Sequence, residues 1–224
     1  MNLNRNTTGL TWKVCGMKHR ENAVLVAALR PDFMGFIFHS DSPRYVGDPP
    51  ESGLFECLPS GIHRVGVFVN AESGFVSQTF RKYRLQFVQL HGDESPEYCA
   101  GLYREGIGLI KAFGVDGGFD FNALGPYRKW VDYFLFDCKT PMRGGSGRQF
   151  DWGLLIDYPF DTPYFLSGGI DIDAVRRLDY ERMPGMAGLD VNSRFETVPG
   201  VKDVALLGEL SEILNGINYK GLQR

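Results

Sequence analysis

Eight short runs rich in Val, Ile, Phe and Tyr recur along this chain, with helix-like stretches between them. The runs are Thr11–Cys15, Phe33–His39, Arg64–Val69, Phe87–His91, Gly108–Phe113, Tyr133–Asp137, Tyr164–Ser167 and Met186–Val191. Most are near-continuous in apolar side chains, the pattern of parallel strands covered by helices on both faces. Between them, Glu21–Leu29 follows the first run, and Ser73–Arg84 sets Phe75, Val76, Phe80 and Tyr83 on one face. Ser95–Arg104 opens Ser-Pro-Glu, a cap residue with proline just inside the helix. Asp171 caps a segment ending near Leu178, and a last helix over Lys202–Leu214 follows Pro199-Gly200.

Eight strands alternating with about eight helices in 224 residues predict an α/β fold, a single-domain (β/α)8 (TIM) barrel. An open doubly wound sheet is the competing architecture, but no GxGxxG follows the first strand. The barrel is assigned to residues 10–224, and the polar residues 1–9 to a disordered N-terminal extension.

A formal net charge of −3, with no basic run, argues against a nucleic-acid or membrane-surface partner. The start lacks the apolar core of a signal peptide, and the longest apolar run, Ala23 to Leu29, is far short of a bilayer span. The expectation is a soluble cytoplasmic protein acting as a monomer. Cys15, Cys57, Cys99 and Cys138 form no CxxC pair, and the four histidines form no HxxxH or HExxH. No metal site and no cofactor are expected.

In a barrel the chemistry lies at the carboxyl ends of the strands. There the sequence places Cys15-Gly16, His91, Asp137, Ser167-Gly168-Gly169 and Asp190-Val191-Asn192-Ser193, with Arg44 in the loop after the second strand. Period-two alternation puts Lys13 with Cys15, Gln89 with His91 and Lys111 with Phe113. The polar members are expected to point into the upper barrel. Lys13, Lys111, Asp137 and Asp190 alone would also suit a structural ion-pair network. Their gathering at one end of the strands favours function. Glycines at 168 and 169, and a short helix starting near Asn192-Ser193, would aim backbone N–H groups at a phosphate. Gly144, Gly145 and Gly147 make a strand-to-helix loop suited to closing over a substrate.

The stretches KVCGMK…EN, PDFMGFIF…SPRYV, VGVFVN, VQLHGDE, DYFLFDCKTP…GGSG..FDW, LSGGI and GLDVNSRFE..PGVKD run from Lys13 to Asp203. Together they resemble the phosphoribosylanthranilate isomerase family. The resemblance implies a cofactor-free Amadori rearrangement of tryptophan biosynthesis. N-(5-phosphoribosyl)anthranilate becomes 1-(2-carboxyphenylamino)-1-deoxyribulose 5-phosphate. It places the general base at Cys15 and the general acid at Asp137. Arg44, His91, Gly145 and Asp190 fall on the substrate side, and Gly168, Gly169, Asn192 and Ser193 on the phosphate. A lysine neighbour such as Lys13 would favour the thiolate, and burial at an apolar strand end flanked by Phe134 and Phe136 would raise the Asp137 carboxyl so that it can protonate an ether oxygen. Cys138, where threonine is commoner, and Arg194, where a smaller residue is common, depart from the family pattern. A lyase barrel of the indole-glycerol-phosphate synthase kind, which uses Lys and Glu, or a silent phosphometabolite sensor are the competing readings.

Overall fold

The computed structural model describes residues 10–138 and 151–221. Eight parallel strands close on themselves in sequence order: β1 (Thr11–Val14), β2 (Phe33–Ile37), β3 (His63–Phe68), β4 (Phe87–Leu90), β5 (Gly108–Val115), β6 (Tyr133–Cys138), β7 (Tyr164–Leu166) and β8 (Met186–Val191). The barrel shuts where β8 pairs with β1, with Lys13 opposite Asp190. Strands buried on both sides show as unbroken apolar runs, which is why each expected strand lies within a residue or two of its observed bounds.

The helical layer is thinner than expected. Among the described residues five α-helices form: α1 (Arg20–Ala27), α2 (Ser73–Lys82), α3 (Pro96–Arg104), α4 (Ile172–Arg177) and α5 (Val204–Gly221). Caps behave as predicted, since Ser95 Oγ accepts from Tyr98 N at 3.2 Å and Asp171 Oδ1 from Ala174 N at 2.8 Å. The connection between β2 and β3 holds Pro43, Pro49, Pro50 and Pro59 and forms turns instead of a helix. Prolines remove backbone donors and clash with a preceding turn. After β5 the chain makes a short 3₁₀ segment, Phe121–Tyr127 around Pro126, and the described residues between β6 and β7 make another, Trp152–Asp157. In α2 the face is Val76, Ser77 and Thr79, and Phe75 sits at its edge with 45% of its surface exposed.

The last helix also starts later than expected. Lys202 belongs to a small antiparallel hairpin, β9 (Glu196–Val198) with β10 (Val201–Lys202), which turns at Gly200 with φ +87°. Asp203 Oδ1 then accepts from Leu206 N at 3.0 Å at the helix entry.

Two apolar layers result. Phe33, Val65, Phe87, Ile110, Ala112, Leu135 and Phe165 fill the barrel interior, and Phe33 touches Phe87, Tyr133 and Phe165 at ring separations of 5.6, 6.1 and 5.2 Å. A larger outer layer joins strands to helices and includes Phe134, Phe136 and Leu189. Alternation therefore turns Leu135 and Asp137 inward, and likewise Gly188 and Asp190. It corrects the placement of Lys111. Because Ile110 and Ala112 face the interior, Lys111 points outward, where its Nζ lies 3.2 Å from Glu94 and donates to Gly92 O at 2.9 Å and Ala112 O at 3.0 Å. Its work is to tie down the loop that follows β4.

Candidate active site

The mouth of the barrel collects its polar groups from β1, β4, β6 and β8. Lys13 is fully buried and donates to Asp190 Oδ1 at 2.7 Å. Burial alone lowers Lys13, because a buried ammonium loses its hydration. Chiefly the facing Asp190 carboxylate outweighs that and holds Lys13 above its ordinary value, while burial in turn raises Asp190 against the pull of Lys13. Cys15 follows on the same face. Gly35 on β2 makes room for both, since a Cβ there would lie 2.9 Å from Cys15 Sγ and 3.3 Å from Lys13 Nζ. Gly16, at φ +78°, takes the chain over the rim, and Cys15 N donates to Val191 O at 2.9 Å.

The charge state of the thiol differs from the expectation. Burial pushes Cys15 up, and Lys13 and Lys202 only partly oppose it, while Asp190 adds to the rise. Lys13 is already engaged by Asp190, so the free site holds Cys15 as a thiol. The two ammonium groups reduce the cost of removing its proton without reversing it.

Across the mouth, Asp137 is partly buried, with Oδ2 3.6 Å from His91 Nε2. Gln89 Nε2 lies 2.8 Å from His91 Nδ1. With the amide donating, Nδ1 accepts, and Nε2 is the edge that faces Asp137. Asp190 also feels Asp137, which raises it, and His91, which lowers it. The four-residue network of Lys13, Lys111, Asp137 and Asp190 does not form. Lys13 pairs with Asp190, Lys111 with Glu94, and Asp137 stands with His91.

The turn after β7 has Gly168 at φ +85° and Gly169 at φ +70°, conformations that favour glycine. After β8, Ser193–Phe195 forms the short 3₁₀ turn foreseen there. The Asn192 side chain is turned elsewhere: its Oδ1 accepts from Lys202 Nζ at 2.7 Å and lies against Gly16. What residue 192 can offer a phosphate is backbone. Arg44 reaches over Gly16 and is gripped by Glu196, with Nε donating at 3.0 and 2.9 Å and Nη2 at 2.7 Å. Gly145 and the rest of the glycine loop, like the Cys138 side chain, lie outside the described residues.

Sequence reasoning overlooked Gly35, Glu94, Glu196 and Lys202. The last two had a legible signal. ETVPGVK is two short β-like pairs about a Pro-Gly turn, and its charged ends meet in the hairpin, with Lys202 Nζ 2.7 Å from Glu196 Oε1. Among the described residues no three His, Cys, Asp or Glu side chains gather to hold a metal ion, and no helix is long and apolar enough to cross a membrane.

An acid, a thiol and a glycine turn on the carboxyl rim of a closed eight-stranded barrel define a (β/α)8-barrel enzyme. Residues 12–212 match the model of one family, N-(5'-phosphoribosyl)anthranilate (PRA) isomerase. An N-(5'-phosphoribosyl)anthranilate isomerase of Parabacteroides distasonis is 43% identical over 193 residues, covering 86% of this chain and 87% of that protein. The crystal structure of phosphoribosyl anthranilate isomerase from Thermotoga maritima superposes with a TM-score of 0.82 at 34% identity, covering 92% of this chain and 99% of that one. Another solved isomerase, in complex with reduced 1-(o-carboxyphenylamino)-1-deoxyribulose 5-phosphate, gives 0.79 at 31% identity with the same coverage. This chain belongs to the phosphoribosylanthranilate isomerase family.

Proposed function

We propose that the chain converts N-(5'-phosphoribosyl)anthranilate to 1-(2-carboxyphenylamino)-1-deoxyribulose 5-phosphate in tryptophan biosynthesis, with Asp137 as general acid and Cys15 as general base. The observation that carries this reading is the inward placement of both groups at the carboxyl ends of their strands, at one barrel mouth that also holds the Lys13–Asp190 pair. Asp137 protonates the ribose ring oxygen, and the ring opens to a Schiff base. Cys15, as thiolate, then takes the proton from the second sugar carbon, and the enolamine tautomerises to the ketone. His91 orients the acid through its Nε2 edge. Lys13 and Lys202 stabilise the thiolate once it forms. Asp190 keeps Lys13 in place and lines the substrate, as does Gly145. Arg44 binds the anthranilate carboxylate, and Gly168, Gly169, Asn192 and Ser193 bind the phosphate through backbone N–H groups.

The rim offers a thiol and a carboxyl group where a lyase barrel would need Lys and Glu, and Lys111 is outside the barrel altogether. Its exposed large apolar residues are spread over α1 (Val24, Leu25), α2 (Phe75), α3 (Tyr103), a 3₁₀ segment (Ile156) and β9 (Val198), which favours a monomer.

Two outcomes test the site. Turnover is expected to survive exhaustive chelation at full rate, and abolition reversed by a divalent cation would contradict the cofactor-free reading. Gly169→Asp adds a negative charge where the phosphate is placed. Asp is among the side chains that visit positive φ, so the strain at φ +70° is about 1–2 kcal/mol and the fold should survive. KM is expected to rise at least tenfold, about 1.4 kcal/mol of binding. An unchanged KM in a folded variant would put the phosphate elsewhere.

A further inference from the structure

Arg44, Glu196 and Lys202 form a charged array that joins three rim segments: the loop after β2, β9 and β10. The Arg44 stem crosses the turn after Cys15, where a Cβ on Gly16 would lie 2.8 Å from Arg44 Cδ. Its guanidinium has two forks of parallel N–H bonds. Glu196 occupies the Nε–Nη2 fork, with Nε donating at 3.0 and 2.9 Å and Nη2 at 2.7 Å. The other fork, formed by Nη1 and the second Nη2 hydrogen, has no acceptor among the described residues.

Glu196 is held from the other side as well. Its Oε1 accepts from Lys202 Nζ at 2.7 Å and from Gly200 N at 3.0 Å. Its burial would raise the carboxyl, yet Arg44 and Lys202 outweigh that and keep it ionised below its ordinary value. Lys202 is itself buried and anchored on Asn192 Oδ1 at 2.7 Å. The sign of the array follows. An Arg44–Glu196 pair alone would present no net charge to an anion. Burial lowers Lys202 below its ordinary value and Glu196 opposes that; the Lys202 ammonium, 2.7 Å from Glu196 Oε1, offsets the carboxylate and leaves Arg44's charge available at the mouth.

We propose that Glu196, neutralised by Lys202, is a positioning residue for carboxylate recognition: it fixes Arg44 so that the second fork is offered to the carboxylate on the substrate's aromatic ring. The proposal rests on the reading of Arg44 above and adds the device that orients it. Glu196 does not touch the substrate. It removes the freedom of a long side chain before binding, which favours a ligand that carries the carboxylate over one that lacks it.

The test uses two stable ligands, reduced 1-(o-carboxyphenylamino)-1-deoxyribulose 5-phosphate and its counterpart built on aniline, with Kd measured by calorimetry. The wild-type protein is expected to prefer the carboxylated ligand by about thirtyfold or more, the scale of a charge-assisted two-point contact. Glu196→Gln should cut that preference to within about threefold while the aniline ligand binds as before. Arg44→Lys should do the same, and the double variant should lose nothing further. Should Glu196→Gln fail to fold, Glu196→Asp keeps the charge beside Lys202 but shortens the grip on Arg44, and its preference should also fall. Equal weakening of both ligands, or an undiminished preference in the Glu196 variants, overturns the proposal while leaving Arg44's assignment intact. A wild-type preference near one removes the assignment and the proposal together. Failure of the wild type to bind either ligand removes the proposed function itself.

Discussion

Cys15→Ser is expected to lower kcat by about 10²–10⁴-fold with little change in melting temperature. The substitution nearly keeps the volume, but a hydroxyl is far too weakly acidic to serve as the anionic base, even with Lys13 and Lys202 nearby. Asp137→Asn should fall by a similar factor, because an amide cannot deliver the proton that opens the ribose ring. Cys99 supplies the contrast. It is buried on α3, away from the mouth, and burial pushes its thiol up to about 12. Cys99→Ser should therefore cost about 1–3 kcal/mol of stability and leave turnover nearly intact. Measuring kcat and Tm for the three variants separates chemistry from packing. Near-normal turnover in Cys15→Ser would sink the assigned mechanism even with the fold unchanged.

The largest effect on stability is expected at Lys13. Lys13→Met leaves the Asp190 carboxylate buried without its cation, a change that typically costs about 3–5 kcal/mol. For a domain of this size that is a fall in Tm on the order of 10 °C. Replacing both partners, as Lys13→Met with Asp190→Leu, removes the stranded charge and should return most of the loss in Tm without restoring turnover. A single variant melting within about 2 °C of wild type would show that the pair does not hold the β1–β8 seam.

The strands were legible because each is buried on two faces and so reads as an apolar run, whatever its partners. That same property hid the orientation of Lys111. A run with no alternation gives no signal for which face a polar residue takes, and only the burial of Ile110 and Ala112 inside the barrel settles it. The missing helices after β2 and β5 were harder, since the connections bury Val46, Leu54, Phe55 and Leu124 like helices while proline prevents the hydrogen-bond pattern. Of the site, Cys15 and Asp137 could be found because strand ends and alternation place them. Their electrostatic setting could not. The partner that Lys13 chooses, the burial that raises the Cys15 thiol, and the Arg44–Glu196 contact 152 residues apart depend on which strands meet when the barrel closes.

The proposed function requires this barrel to turn over phosphoribosylanthranilate with its own side chains. The direct measurement adds purified protein to freshly made substrate in metal-free buffer, follows the loss of anthranilate fluorescence and identifies the product by mass and chromatography. The account predicts rapid conversion to 1-(2-carboxyphenylamino)-1-deoxyribulose 5-phosphate, lost in Cys15→Ser and Asp137→Asn. A wild-type protein that binds the reduced product analogue yet accelerates nothing beyond the spontaneous reaction would contradict it, and would make the barrel a sensor of the metabolite.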